Sequence, residues 1–231
     1  MITLPNWLNR FRRQTAGGGG GGGVSWSLIA STSVAGTTGN TQVTIDATGG
    51  NLLAVAFDWS GGSAPTLTDS TGDTLTQAIA STFGGGNPKA RWYYKISPTS
   101  GSHTITVPVA GISPHVHVYV FNKSGGTPVF HSGVDSGQLS GNWGSTSVKT
   151  GSITPATATS LFLSSAWWDT AGTLSPNCDS SFVKPNSSTF GGGAGIQTAY
   201  KIKADSLAEN VTWTPGGSSN ADANGNLIDF N

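Results

Sequence analysis

The sequence predicts an all-β protein: an antiparallel β-sandwich of jelly-roll-like type, built from two internally repeated halves and preceded by a short N-terminal anchor peptide. Three observations carry this. Ser81-Thr82-Phe83-Gly84-Gly85-Gly86 recurs letter for letter at residues 188–193. The surroundings follow at a near-constant offset: Tyr94-Lys95-Ile96 returns as Tyr200-Lys201-Ile202, and Val107-Pro108 as Thr214-Pro215. Two copies are too few for a solenoid, so the period marks a duplicated half. From residue 24 onward, short runs rich in Thr, Val, Ile and aromatics alternate with Gly, Pro, Asn and Asp, the pattern of a sandwich or barrel. No segment beyond the first fifteen residues sustains a helical period over three turns.

In chain order, residues 1–16 stand apart. Leu4, Trp7, Leu8 and Phe11 fall at i, i+3, i+4 and i+7, one helical stripe, with Arg10, Arg12 and Arg13 at its C-terminal end. Thr3 and Pro5 suit the helix start. So short a helix is marginal alone, so these residues are expected to order only against a partner. A frayed terminus and a membrane-surface helix are the alternatives. Residues 17–23 are an unbroken glycine tract, read as a tether. The body, 24–231, is expected to repeat over approximately 40–122 and 146–231.

Strands are expected at 42–45, 51–57, 74–81, 90–96, 103–107 and 115–121, then at 127–134, 146–153, 160–167, 195–202, 209–213 and 226–230. Asp69-Ser70-Thr71-Gly72-Asp73 reads as a hairpin connection, and Asn224-Gly225 as a two-residue turn before the last strand. One sandwich with pseudo-twofold halves is the favoured arrangement; two small packed sandwiches are the other.

Composition narrows the function classes. The 231 residues carry 11 Lys plus Arg and 11 Asp plus Glu, a net charge of zero, which argues against a nucleic-acid partner. Hydrophobic residues make up 35%, with eight Trp and nine Phe, enough for a substantial core. One cysteine, Cys178, excludes an internal disulfide framework and a multi-thiolate zinc site. No run reaches the length of a transmembrane helix, and no signal-peptide pattern opens the chain.

Several stretches together carry a resemblance. Gly50-Asn51-Leu52-Leu53-Ala54-Val55-Ala56, Thr68-Asp69-Ser70-Thr71-Gly72-Asp73-Thr74, Trp92-Tyr93-Tyr94-Lys95-Ile96 and His103-Thr104-Ile105-Thr106-Val107 follow one another in order. The succession resembles the "GDLLVVAV … DSxGNTW … YYxxN … TVTV" β-sandwich domains of bacteriophage structural proteins and bacterial surface proteins. It covers roughly residues 25–231 and is weaker in the second half, where 170–181 lack the Asp-Ser-x-Gly turn. The resemblance implies a fold and carries no catalytic residues.

Motifs for chemistry are sparse. A nucleophile elbow, a P-loop, a dinucleotide fingerprint and a zincin helix are all missing from the sequence. Cys178, next to Asp179 with no basic neighbour beside it, reads as a buried or incidental thiol. His115 and His117 share a strand face; a metal there would need a third ligand such as His103 or His131, and polar positions on a half-exposed strand are the plainer reading. Asp58 beside Trp59 and Asp169 beside Trp168 are the acids placed most like a glycosidase pair. Neither a catalytic residue, a metal ligand nor a cofactor is assigned.

The aromatics are the stronger lead. Trp92, Tyr93 and Tyr94 alternate faces and cannot all enter one core, and Trp167-Trp168 pose the same problem. Burial on a second face, a subunit contact and glycan stacking are the three outcomes, with Trp59, Trp92, Tyr93, Trp143 and Trp168 as contacts for a glycan or an interface. Anchor, tether and neutral sandwich together predict a bacteriophage virion accessory protein, such as a capsid decoration, head fibre or tail-attached domain. Leu4, Trp7, Leu8, Arg10, Phe11, Arg12 and Arg13 would dock on a capsid or tail component, and several copies, as a homo-oligomer, would sit on the particle. The alternative is a carbohydrate-binding host-surface adhesin.

Overall fold

The computed structural model of the chain describes residues 23–35, 39–59, 65–80, 89–108, 114–136, 147–169, 176–179, 181–186, 195–216 and 222–231. The predicted anchor peptide and both Ser-Thr-Phe-Gly-Gly-Gly copies lie outside them. The described residues form strands and no helix, so no helix among them is long and apolar enough to cross a membrane. The predicted all-β, antiparallel sandwich architecture is present.

The first half contributes β1 (Ser25–Ala35), β2 (Thr41–Asp46), β3 (Leu52–Trp59), β4 (Thr68–Asp69), β5 (Thr76–Ala80), β6 (Lys89–Ile96), β7 (Ser102–Val107) and β8 (His115–Ser124). They form a five-stranded sheet, β1-β8-β3-β6-β5, and a three-stranded sheet, β2-β7-β4. β1 pairs with β8, β2 with β7 and β3 with β6, all antiparallel. That is a long hairpin rolled so that successive pairs alternate between two sheets, the jelly-roll order.

The second half contributes β9 (Phe130–Asp135), β10 (Val148–Lys149), β11 (Ser160–Asp169), β12 (Asn177–Cys178), β13 (Gly195–Lys203), β14 (Thr212–Thr214) and β15 (Asp222–Phe230). Its sheets run β13-β11-β15-β9 and β10-β14-β12, the same pairing scheme. A single bridge between Val183 and Tyr200 takes the place that β5 holds beside β6.

The cores follow from strand alternation. Odd-numbered residues of β3 (Leu53, Val55, Phe57, Trp59) pack with Val43, Ile45, Ile105 and Val107 of the three-stranded sheet. In the second half Phe162, Ala166 and Trp168 of β11 pack with Val148, Val211 and Trp213. The even-numbered residues Leu52, Ala54 and Ala56, with Trp92, Tyr119 and Phe121, join Leu161, Leu163, Trp167, Ile196, Ile228 and Phe230 in a third core. The two large sheets therefore lie face to face between the two small ones, four layers deep. Every residue of β3 is buried, because both of its faces are interior.

This resolves the aromatic excess. Trp92 enters the core between the halves, Trp168 the core of the second half, and Tyr94 stacks on Phe130 with ring centroids 5.2 Å apart. Polar pairs pin the stack. On β11, Ser165 Oγ accepts the Trp92 indole N–H from the opposite half at 3.1 Å. Its neighbour Ser164 accepts the Trp213 indole at 2.9 Å and donates to the Asn226 carbonyl at 2.7 Å. His117 Nδ1 meets Thr198 Oγ1 across the same interface at 2.8 Å, and Thr198 in turn meets the Tyr119 hydroxyl.

Several local expectations need correction. Residues 69–73 do not close a hairpin: β4 pairs with β7 and β5 with β6, so the turn carries the chain from one sheet to the other. Gly72 sits there at φ +79°, which suits glycine. Asn224-Gly225 is no turn but lies inside β15, where a Cβ on Gly225 would meet Val148 Cγ1 at 3.1 Å. The glycine serves a close approach of sheets. β1, β4 and β12 were not expected as strands; β1 is an edge strand whose Ser and Thr dilute the apolar pattern.

Ser165→Ala is expected to strand the buried Trp92 indole N–H and cost about 1–3 kcal/mol. Urea unfolding measures this as a lower midpoint of one transition, since the halves share a core. An unchanged midpoint would assign that indole no role in joining them.

Candidate functional site

Among the described residues, the jelly-roll order leaves one position open in the first half. A fourth strand beside β4 would complete the small sheet, but β5 instead extends the large one beyond β6. The outward residues of β6, Arg91 and Tyr93, thus floor a groove of about 370 Å³. Its walls are 65–69, leading into β4, and 72–75, leading into β5.

Side chains at the floor hold one another. Tyr93 stacks on Phe57 with centroids 5.9 Å apart. Arg91 lies over the Trp59 ring at 5.1 Å and donates through Nη1 to Gln77 Oε1 at 2.7 Å and to the Tyr93 hydroxyl at 3.2 Å.

One wall is an ion-pair latch. Asp69 Oδ2 meets His103 Nδ1 at 2.6 Å, and His103 Nε2 meets the Thr99 carbonyl at 2.5 Å. A carbonyl only accepts, and so does a carboxylate, so both ring nitrogens carry protons and His103 is an imidazolium. Burial pulls its pKa down, but the bond to Asp69, the bond to Thr99 and the charges of Asp69 and Asp73 outweigh it, and the net shift is upward. Asp73 accepts from the Thr99 amide at 2.7 Å and pairs with Lys95 at 3.3 Å. Burial pushes its carboxyl up, yet these contacts leave it below the usual value.

Asp69, Asp73 and His103 are the group among the described residues whose donor atoms lie close enough for a metal, within 4.8 Å of one another. With both His103 nitrogens protonated, the ring offers no lone pair, so the cluster works as a latch closing 69–73 onto β7 rather than as a ligand set. The four histidines do not converge. His103 pairs with Asp69, His115 with Asp58 and His131 with Asp229, while His117 is fully buried against Thr198. Burial and the nearby His115 push His117 down to about 3, so it is neutral.

The remaining sequence candidates separate cleanly. Trp59, Trp92 and Trp168 are enclosed, with relative exposures of 3%, 0% and 0%, so their ring faces are spent on packing and none is offered to a glycan or a partner. Tyr93 lines the groove. Trp143 and Leu4, Trp7, Leu8, Arg10, Phe11, Arg12 and Arg13 lie outside the described residues. Asp58 is buried, accepting from the His115 amide at 2.6 Å, and does not face a cleft. Cys178 is half-buried, and burial above all pushes its thiol up to about 11. Arg91 and Gln77 escaped the sequence reading. Arg91 stands two residues before Tyr93, hence on the same strand face, and that spacing was the available clue.

No protein-family model matches the sequence, and a comparison with curated proteins returns no match.

The two buried histidines act on stability with opposite signs. The folded pKa of His103 is raised, so its contribution is complete below the ordinary value of about 6.5 and is lost as pH rises through the folded value. His117 is depressed: the unfolded chain takes up a proton below about 6.5 that the native state refuses, so stability falls with acid by about 1.4 kcal/mol per pH unit. Urea unfolding from pH 4 to 9 should give a maximum near neutrality. His103→Gln should flatten the alkaline side and His117→Asn the acid side. Unaltered slopes in either variant would break the assignment.

Proposed function

We propose that the chain is an accessory structural protein of a bacteriophage particle, held by residues 1–16 and presenting the β body outward as a decoration, head-fibre or tail-attached domain. The observation that carries this reading is the closed core between the halves. Two jelly rolls sharing one dry interface make a rigid block, with their histidines and buried acids committed to internal pairs. Such a block suits display, and the amphipathic, arginine-bearing leader and glycine tract suit docking through a short tether. Copies repeated on a symmetric particle gain occupancy through avidity.

A second reading, recognition of a host-surface glycan, is favoured by one observation, the groove floored by Tyr93.

Removing residues 1–16 should leave a body with unchanged circular dichroism and unfolding midpoint that no longer joins particles. Incorporation at the full-length copy number would refute docking by the leader.

A further inference from the structure

The groove contains a charge that the protein does not balance. Of the ionised groups around it, Asp69 is matched by His103 and Asp73 by Lys95. Arg91 has no carboxylate within ion-pairing distance among the described residues, and the segments outside them, 60–64 and 81–88 included, contain no Asp or Glu. Its Nη1 is held by two neutral oxygens, and its Nε is buried without a partner. A partly buried guanidinium is costly to desolvate without an anion. This one is also held in place, laid over Trp59 and tied to Gln77 and Tyr93.

The second half offers an internal control. Aligning Tyr94-Lys95-Ile96 with Tyr200-Lys201-Ile202 puts Gln197 at the position of Arg91. Gln197 is neutral, buried and donates to the Asn186 carbonyl at 2.6 Å. Phe182 is buried on that face of the sheet, and Lys201, lying 5.5 Å from its ring, is neutralised by Glu209 at 2.5 Å. Lys201 is the counterpart of Lys95, which Asp73 neutralises in the same way, so the contrast lies at Arg91. One half fills the space beside a neutral glutamine, and the other leaves it open among the described residues with an unpaired cation in it.

From this we infer that the groove binds a carboxylate-bearing sugar, with Arg91 as counter-ion to the carboxylate and the Tyr93 ring beneath the pyranose. This rests on the glycan-binding reading and specifies its ligand. Guanidinium and carboxylate match in geometry as well as charge. The volume, about 370 Å³, is at the small end of ligand sites and suits a single sugar unit. Phe57 backs one face of the Tyr93 ring, and a sugar's C–H face suits the other. Thr66, Thr68 and Thr74, exposed along the walls, supply hydroxyls to pair with those of a saccharide.

The test uses the full chain with glucuronate and N-acetylneuraminate, and glucose and galactose as neutral controls, followed by ligand-observed NMR titration. Binding of an acidic sugar, weakened by added salt and at least tenfold weaker in Arg91→Gln, is the expected result. Because Arg91 also packs on Trp59, Thr74→Trp provides a second variant that fills the groove from an exposed wall position, and it should abolish binding with the unfolding midpoint unchanged. Equal binding of neutral and acidic sugars, or an acidic sugar bound as well by Arg91→Gln but not by Thr74→Trp, would overturn the carboxylate assignment while sparing the glycan reading. An acidic sugar bound as well by both variants would overturn the groove as the site. No binding of any of the four sugars would overturn both.

Discussion

The central strands of both large sheets are buried on both faces, and the rest of the structure depends on that constraint. A sheet in an ordinary two-layer sandwich has one wet face, and its strands alternate. Here β3, β8, β11, β13 and β15 are largely buried on both faces because each lies between two other layers. Burial of whole side chains on this scale, at ~1.5–3 kcal/mol for each large residue, outweighs the entropy of ordering a glycine-rich chain. It also leaves buried polar groups no solvent, so each needs a partner from the facing layer. Ser164 and Ser165 show the result: adjacent residues on one strand point to opposite faces, and each takes the indole N–H of a tryptophan from a different sheet.

That pairing bears on specificity. Apolar faces slide without much penalty, whereas a misplaced register would leave Trp92 or Trp213 with an unmet donor. The chain of His117, Thr198 and Tyr119 adds the same demand at a second point of the interface. A neutral histidine serves there because its two nitrogens differ, one accepting and one donating. The polar residues between the halves thus select one docking geometry from the many that an oily surface permits.

How much could be read from the sequence follows from the same constraint. β2, with its strict alternation over Thr41–Asp46, lies with one face on the core and one on solvent, and its pattern was plain. The run from Leu52 to Phe57 was legible as a strand, and its unbroken apolar character already implied two buried faces. That inference decides the place of Trp92 and Trp168, whereas counting aromatics on a two-layer sandwich leaves them looking for a partner. Asn224-Gly225 misled because a turn dipeptide and a glycine at a tight sheet contact are written with the same letters. The groove was not legible at all: it depends on which neighbour β5 chooses, and nothing local to Thr76–Ala80 specifies that choice.

The two halves share a strand order yet differ where it matters for binding. Their common feature among the described residues is the pairing scheme, which sets where a vacant strand position falls on the small sheet. What lines that position is left to a few side chains: Phe182 and Gln197 in one half, Arg91 and Tyr93 in the other. Neither set takes part in joining the large sheets, so either can change without disturbing the interface that keeps the body rigid. An architecture of this kind separates stability from recognition: the double-faced core holds the frame, and the gap beside β4 is free to acquire a ligand.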